Sequence, residues 1–196
     1  MKEHAGNIPY VKGYLSELTS SLEKIDLSAV DAVIELLIEA HKRGSRIFTA
    51  GNGGSSATAS HIVCDFNKGI SANTKEKFEM TCLSDSIPTI TAIANDYGYE
   101  HVFVFQLEGR MKKGDILIAI SGSGNSKNII LAAEYAKSLG NKVIALTGFK
   151  GGELYKIADV NIHFPLEDMQ KAEDAHMIML HLIARAVADR YGVKMC

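Results

Sequence analysis

Two short segments rich in glycine and serine have the residue types best suited to bind a phosphate group. The first is Gly-Asn-Gly-Gly-Ser-Ser at residues 51–56, and the second is Ser-Gly-Ser-Gly-Asn-Ser at residues 121–126. Glycine lets the backbone approach a ligand closely, and a helix that begins at such a loop presents free N–H groups and a partial positive charge. One such loop alone is more often a tight turn before a capped helix, but two of them favour an anion site.

Histidine and carboxylate side chains recur on two segments with helical periodicity. His61 and Asp65 are four residues apart and share a helical face that Cys64 could join, although we interpret Cys64 as a buried thiol rather than a metal contact. Such a pair is more often a surface ion pair, but on two converging helices these groups would suit zinc or another transition metal. A mostly apolar run near the C-terminus carries four further polar residues: Glu173, Asp174, His176 and His181.

Five short apolar runs predict the strands that must position these loops. They have little polar alternation, which is typical of strands buried on both faces, and lie at residues 46–50, 78–83, 115–120, 142–147 and 160–164. Helical segments are predicted between and after them, at residues 56–68, 90–95, 102–111, 127–139 and 169–191. This alternation predicts a three-layer αβα fold with a parallel sheet and right-handed crossovers. Both loops then fall at the carboxyl ends of strands, where ligands bind in such sheets.

The N-terminal part of the chain predicts two helices within residues 11–42, because apolar residues recur three and four positions apart. We expect the break near Asp26, a capping start at Ser28 with Asp31, and an end of the second helix at Gly44. Residues 1–44 are therefore interpreted as an N-terminal helical arm, and residues 45–196 as the α/β core with its C-terminal helix. No linker or repeat divides the chain, which predicts a single domain over residues 1–196.

Composition limits the classes of partner and location. The 196 residues are 46% hydrophobic and 22% charged, with a net charge of −2, so there is no basic excess to grip a nucleic-acid backbone. No run approaches the roughly 18 uncharged apolar residues of a membrane span, and residues 1–10 lack the apolar core of a signal peptide. Three cysteines (Cys64, Cys82 and Cys196) without zinc-finger spacing predict reduced thiols. We expect a cytoplasmic protein without nucleic-acid or membrane partners.

A nucleotide-dependent oxidoreductase is disfavoured by the first loop. Ser56 stands where the dinucleotide-binding pattern has its third glycine, and no suitably placed acidic residue follows about 20 positions later. The chain also has no glycine-lysine-serine/threonine motif of a P-loop.

Several segments in order along the chain together resemble the phosphoheptose isomerase branch of the SIS (sugar isomerase) domains. They are Gly51-Asn52-Gly53-Gly54-Ser55 with His61, Ala94-Asn95-Asp96-Tyr97-Gly98, Ile120 with residues 121–126, Leu146-Thr147-Gly148 with Gly151-Gly152, and Glu173 with His176 and His181. The resemblance implies a five-stranded parallel flavodoxin-like sheet and a homotetramer with active sites at subunit interfaces. It also implies isomerisation of sedoheptulose 7-phosphate to D-glycero-D-manno-heptose 7-phosphate for surface polysaccharides.

The resemblance also implies roles for individual residues. The substrate should be bound by the following residues, the serines at its phosphate and Asn52 and Asp96 at its sugar: Asn52, Gly53, Ser55, Asp96, Ser121, Ser123 and Ser126. Zinc should be held by two residues on the first core helix and two on the last: His61, Asp65, Glu173 and His181. Of these, Asp65 is expected to act as the carboxylate base and His181 as its acid/base partner.

Four positions depart from the family pattern. Asp65 replaces a glutamate, Glu173 replaces a glutamine, and Gly69 beside Lys68 stands where an arginine is usual. Gly122 replaces a residue that often carries a hydroxyl. We hypothesise that Asp65 and Glu173 compensate for each other, the shorter side chain moving the metal and the extra charge holding it.

Aldose–ketose exchange through an enediol needs a base for a carbon-bound proton and a second group for the oxygens. Because a carboxylate that ligates zinc tightly is a poor base, either a ligand dissociates or a bound water relays the proton.

The alternative function is a non-catalytic phosphosugar- or protein-binding tetramer, like the initiator-associating branch of the family. That branch lacks the carboxylate and the last-helix histidine, so the presence of Asp65 and His181 favours an enzyme. The remaining histidines are interpreted as structural or surface residues: His4, His41, His101 and His163.

Overall fold

Five parallel strands form the central sheet in the computed structural model, which describes residues 6–195. Their order is β2-β1-β3-β4-β5, which is the flavodoxin-like order, so the predicted fold class is confirmed. Ala50 lies opposite Ala119, and Ile120 lies opposite Leu146. The strands are β1 (Ile47–Gly51), β2 (Met80–Cys82), β3 (Ile116–Ser121), β4 (Lys142–Thr147) and β5 (Val160–His163).

Helices connect the strands and cover both faces of the sheet. The α-helices are α1 (Asn7–Leu22), α2 (Leu27–Lys42), α3 (Gly54–Cys64), α4 (Ile87–Tyr97), α5 (Val104–Leu107), α6 (Lys127–Ser138), α7 (Gly152–Ile157) and α8 (Met169–Arg190). A π-helix, Asp65–Ile70, continues α3, and Ser71–Asn73 and Tyr99–His101 are 3-10 turns. The helix predicted at residues 102–111 is only one turn of α5, because the chain turns at Gly109, where φ is +69°.

The two N-terminal helices differ in how they are packed. In α2, Val33, Leu37 and Ile38 are almost fully buried in the apolar core, whereas α1 buries only Leu18 and Ser21. Of the two helices in the predicted arm, α1 alone lies mainly on the surface.

The start of α2 differs from the sequence prediction. The prediction that Ser28 caps α2 is wrong, because the Asp26 carboxylate caps the helix. Its Oδ1 accepts the backbone N–H groups of Ser28 at 2.9 Å and Ala29 at 3.4 Å. The Ser28 hydroxyl instead donates to Asp26 at 2.6 Å. The carboxylate therefore satisfies helix N–H groups that would otherwise need water.

Two apolar layers hold the helices on the sheet. Successive strand residues point to opposite faces, so Ile47 packs under α2, α3 and α8, while Phe48 packs under the helices of the other face. Burial of one such side chain stabilises the fold by about 1.5–3 kcal/mol. The sheet is therefore packed on both faces, and both glycine- and serine-rich loops lie at the carboxyl ends of its strands.

Two cysteines and one histidine can be compared with the burial and the structural role predicted for them. Cys82 is a buried free thiol, but Cys64 is exposed at the last residue of α3, so its predicted burial is wrong. The reason is that the α3 face packed on the sheet is carried by Ala59 and Ile62 instead. His41 has a structural role, because it stacks on Phe78 with ring centroids 4.0 Å apart. His4 and Cys196 lie outside the described residues.

No helix within residues 6–195 combines the length and the apolar character needed to cross a membrane.

Candidate active site

A cavity of about 260 Å³ opens at the carboxyl ends of β1 and β3, between the two glycine- and serine-rich loops. Helices α3 and α6 both begin beside it. Its walls therefore combine free helix N–H groups with hydroxyl and amide donors, which suit an anionic oxygen-rich ligand, and with one carboxylate, that of Glu173. The residues that line it are Asn52, Gly53, Gly54, Ser55, Ile120, Ser121, Gly122, Ser123, Ser126, Met169 and Glu173.

The second loop is arranged by its own serines. The buried Ser121 hydroxyl accepts the N–H of Gly124 at 3.2 Å and donates to the Ser126 hydroxyl at 3.3 Å. Ser126 is the N-cap residue of α6 but makes no side-chain cap hydrogen bond. Since its hydroxyl faces Ser121 instead, N–H groups in the first turn of α6 remain available to a ligand.

A neighbouring loop fixes the conformation of the serine loop. The backbone of Gly148 donates to Gly122 at 2.8 Å, and Leu154 donates to Gly124 at 2.9 Å. Gly124 has φ +66°, and a Cβ there would lie 1.8 Å from the Gly151 carbonyl oxygen. This contact explains why residue 124 must be glycine and why the two loops behave as one unit.

A second group of polar side chains lies further along α3 and α8. The Nε2 atoms of His61 and His181 are 2.8 Å apart, and Asp65 Oδ2 lies 3.5 Å from the first and 3.7 Å from the second. The His61 and His181 side chains are 46% and 47% exposed, and that of Asp65 is 20% exposed. One atom from each residue lies within 4.8 Å of the others, so the three side chains form a potential metal-binding group.

The position of Asp65 follows from a change in helix type. It is the first residue of the π-helix that continues α3, a type of turn that is frequent at functional sites. The next residue, Phe66, and Ile70 are both fully buried. Because Phe66 and Ile70 pack in the core, the π-helix is held in place, and Asp65 lies one turn beyond His61.

Glu173 lies at the cavity rather than in the potential metal-binding group. A Cβ on Gly54 would lie 2.3 Å from Glu173 Oε2, so the carboxylate rests directly on the first residue of α3. Within residues 6–195, the group of donor atoms contains His61, Asp65 and His181 but neither Glu173 nor Cys64. The compensation of the shorter Asp65 by Glu173 stays a prediction.

Asp96 is not among the residues that line the cavity. It is exposed at the end of α4, where its carboxylate accepts a hydrogen bond from Asn95 at 2.8 Å. Tyr99, three residues later, instead reaches the cavity wall through a hydrogen bond to Asn52. A further residue, the buried Asn128 of α6, also contacts Asn52. Neither residue is predicted from the sequence, although Tyr99 directly follows the segment 94–98 that carries the resemblance.

Comparison with known proteins identifies the family. A family model of the SIS domain matches residues 13–148. A phosphoheptose isomerase from Helicobacter pylori strain P12 is 36% identical over 184 residues, which cover 90% of this chain and 91% of that protein. The chain belongs to the phosphoheptose isomerase family of SIS domains.

Solved structures agree with this assignment. A phosphoheptose isomerase from Neisseria gonorrhoeae has a TM-score of 0.86 and 28% identity, and the match covers 94% of this chain and 100% of that one. A phosphoheptose isomerase from Francisella tularensis has a TM-score of 0.85 and 25% identity, covering 92% of this chain and 95% of that one. Membership of an isomerase family disfavours the alternative of a non-catalytic binding protein.

The structure accounts for two departures from the phosphoheptose isomerase pattern. At Gly122 a Cβ would lie 2.6 Å from Met169 Sδ, so a thioether occupies the space beside the serine loop. At Gly69 a Cβ would lie 3.1 Å from Met195 Cε, so the C-terminal segment packs where this family usually has an arginine side chain. In both places a methionine takes up the room that a larger residue would need.

Proposed function

We propose that this chain interconverts sedoheptulose 7-phosphate and D-glycero-D-manno-heptose 7-phosphate through an enediol. The observation that carries the proposal is that one pair of helices, α3 and α8, borders both an anion-binding cavity and a separate His/Asp/His group. An isomerase needs these two parts, because the phosphate is held away from the carbons that exchange protons.

The separation of the two parts supports a seven-carbon substrate. Gly54 begins α3 at the cavity, and His61 lies seven residues later, which is about 10 Å along the helix axis. A seven-carbon chain has six carbon–carbon bonds of about 1.5 Å each. Extended, and with its phosphoester, it covers roughly the same length, whereas a five-carbon sugar phosphate is two bonds shorter.

The phosphate would be held by Ser55, Ser121, Ser123 and Ser126, together with backbone N–H groups at the starts of α3 and α6. These donors are neutral, which agrees with the net charge of −2 of the whole chain. Binding of this remote group orients C1 and C2 at the reacting end and so contributes to the rate as well as to affinity.

The proton transfers are assigned to Asp65 and His181. The Asp65 carboxylate removes the proton from C1 of the ketose and returns it to C2, while His181 gives a proton to O2 and removes the one on O1. The net result is the aldose, with no proton gained or lost. The 3.7 Å separation of Asp65 Oδ2 and His181 Nε2 lets both groups serve adjacent atoms of one substrate.

Zinc is the proposed metal, held by His61, Asp65 and His181. Because Asp65 and His181 cannot hold a metal and carry a proton through the same atom at once, either a ligand dissociates or a water relays the proton. Two imidazole nitrogens and one carboxylate oxygen fit zinc, and three protein ligands with a fourth position left open is the catalytic pattern. Bound there, zinc would stabilise the negative charge that develops on the substrate oxygens. Glu173, the fourth ligand implied by resemblance, rests on Gly54, and we assign it to the cavity wall, where its carboxylate faces the substrate.

The metal assignment has a matched control in Glu173. Zinc content of the purified protein should fall to a small fraction in Asp65→Ala and should remain stoichiometric in Glu173→Ala. Loss of zinc in Glu173→Ala would return this residue to the ligand set. Stoichiometric zinc and full activity in Asp65→Ala would remove Asp65 from it.

A homotetramer with interfacial active sites is also proposed. His181 is flanked on α8 by the exposed apolar residues Ile178 and Leu182, and α1 exposes Ile8 and Leu15. Apolar side chains beside an open catalytic group are typical of a surface that a second copy covers. Light scattering should give four times the chain mass of 21.3 kDa. A monomer that is fully active would contradict this assembly.

The cytoplasm is the proposed location. Cys64 and Cys82 are both free thiols, which is typical of a reducing compartment.

Kinetics with ketose phosphates of five, six and seven carbons would test the proposed substrate. The seven-carbon substrate should have the highest kcat/KM, and Asp65→Asn should lower kcat far more than it changes KM. Equal kcat/KM for the three lengths would contradict the length argument. An unchanged kcat in Asp65→Asn would contradict the role of the base.

A further inference from the structure

The side-chain amide of Asn52 is held by two residues outside the cavity lining. Asn52 Nδ2 donates to Asn128 Oδ1 at 2.9 Å, and Asn128 Nδ2 donates back to Asn52 Oδ1 at 2.9 Å. The Tyr99 hydroxyl donates to the same Asn52 Oδ1 at 2.8 Å. Asn52 lines the cavity at the end of β1, whereas Asn128 is almost fully buried in the first turn of α6.

A backbone group decides which way these amides face. The N–H of Ile129 is shared between the Ser126 carbonyl oxygen and Asn128 Oδ1, at 3.0 Å from each, and a backbone N–H can only donate. This contact fixes the oxygen of Asn128. If the Asn52 amide were reversed, its nitrogen would face the nitrogen of Asn128, two donors against each other. The orientation of the Asn52 amide therefore follows from its hydrogen bonds to Asn128, whose own orientation is set by Ile129.

Counting donors and acceptors shows what Asn52 can still offer. An asparagine amide has two lone pairs on oxygen and two N–H groups on nitrogen. Tyr99 and Asn128 use both lone pairs, and Asn128 uses one N–H. One N–H is left over. Asn52 can therefore donate to a ligand in the cavity but has no acceptor left for a ligand hydroxyl.

We infer that Tyr99 and Asn128 are positioning residues that make Asn52 a donor-only group directed at an oxygen of the sugar. The inference rests on the proposed isomerase function. A donor-only amide binds an oxygen that accepts and not a hydroxyl that must donate. Since Asn52 lines the phosphate cavity, that oxygen belongs to the part of the sugar nearest the phosphate and not to the reacting carbons at Asp65 and His181. The phosphate has its own donors in the serine hydroxyls, so the amide is assigned to the sugar.

The neighbouring Tyr97 provides a matched control for Tyr99. The two tyrosines are 58% and 55% exposed, so removing either hydroxyl leaves the core intact. The ring of Tyr97 packs near Phe105, with centroids 5.0 Å apart, and its hydroxyl makes no hydrogen bond to residues 6–195. Tyr99→Phe removes the hydrogen bond to Asn52 and keeps the ring, whereas Tyr97→Phe removes a hydroxyl that positions nothing.

The experiment compares kcat/KM for sedoheptulose 7-phosphate and the calorimetric affinity for inorganic phosphate in these variants. Tyr99→Phe should lower kcat/KM about 3- to 10-fold, the effect of one neutral hydrogen bond, with phosphate affinity unchanged. Tyr97→Phe should match the wild type in both. An equal loss in Tyr97→Phe, or a parallel loss of phosphate affinity in Tyr99→Phe, would overturn the inference.

A double-mutant cycle separates positioning from a general structural effect. If Tyr99 acts through Asn52, Tyr99→Phe should have no further effect on kcat/KM in an Asn52→Ala background. A full additional loss there would overturn the inference.

Failure of the proposed function would be recognised separately, as a wild-type protein that does not turn over. The same variants would then be compared by calorimetric binding of sedoheptulose 7-phosphate. Weaker binding in Tyr99→Phe alone would support the inference, and equal binding in both tyrosine variants would refute it.

Discussion

His176 should make the folded state less stable in mild acid. It lies on α8 with no exposed surface, and its ring centroid is 6.1 Å from that of Phe164. Neither ring nitrogen has a hydrogen-bond partner within residues 6–195. Burial disfavours the charged form and lowers the pKa of His176 from 6.5 to about 4. Replacing His176 by leucine removes the titrating group and puts an apolar side chain of similar size in its place.

The sign follows from which state binds the proton. Between pH 6.5 and about 4 the unfolded chain binds a proton at His176 and the folded chain does not, so the free energy of unfolding falls as the pH is lowered. The contribution is fully present above pH 6.5. Its total loss, over a difference of about 2.5 pKa units, is roughly 3 kcal/mol.

Urea unfolding at several pH values between 7.5 and 4 would measure this effect. The wild type should lose roughly 3 kcal/mol more than His176→Leu over that range. Burial also lowers the pKa of His163, but this residue is present in both proteins and largely cancels in the difference. Identical pH dependence in the wild type and in His176→Leu would refute the reasoning.

Three further predictions concern the loop, the sheet and the proposed interface. Gly124→Ala should weaken inorganic phosphate binding by at least about 10-fold in calorimetry, because its Cβ would meet the Gly151 carbonyl oxygen at 1.8 Å and force the loops apart; unchanged affinity would contradict this. Asp115→Ala should lower the free energy of unfolding by about 2–4 kcal/mol, since the buried carboxylate accepts the backbone N–H of Arg46 at 2.9 Å and also holds its guanidinium at 3.0 Å. A loss below about 1 kcal/mol in urea would show that water replaces these bonds. Leu182→Asp should give a lower mass in light scattering while the circular dichroism spectrum stays unchanged, and an intact tetramer would exclude this residue from the interface.

The fold could be predicted from the sequence because its strands are buried on both faces. Runs such as residues 115–120 have no polar alternation, and each is followed by a turn and a helical segment, which leaves little choice beyond a parallel sheet. Local competition between capping groups was harder to predict. Asp26 and Ser28 are both good caps, and only the observed backbone conformation decides between them.

The site could be predicted in part. The serine loop and the convergence of His61, Asp65 and His181 follow from loop and helix positions that the family resemblance supplied. Tyr99 could not be predicted, because its contact with Asn52 depends on how the segment after α4 turns back toward β1. Such contacts join residues far apart in the chain and depend on side-chain conformations that no local pattern determines.

The most direct test of the isomerase mechanism is nuclear magnetic resonance of the zinc-supplied protein with sedoheptulose 7-phosphate in deuterated water. Asp65 is partly exposed, so the proton it removes should exchange with solvent before it is returned to C2. The account predicts an aldose 7-phosphate that carries deuterium at C2, formed by the wild type and not by Asp65→Asn. Binding of the sugar phosphate with no aldose and no deuterium incorporation would contradict it.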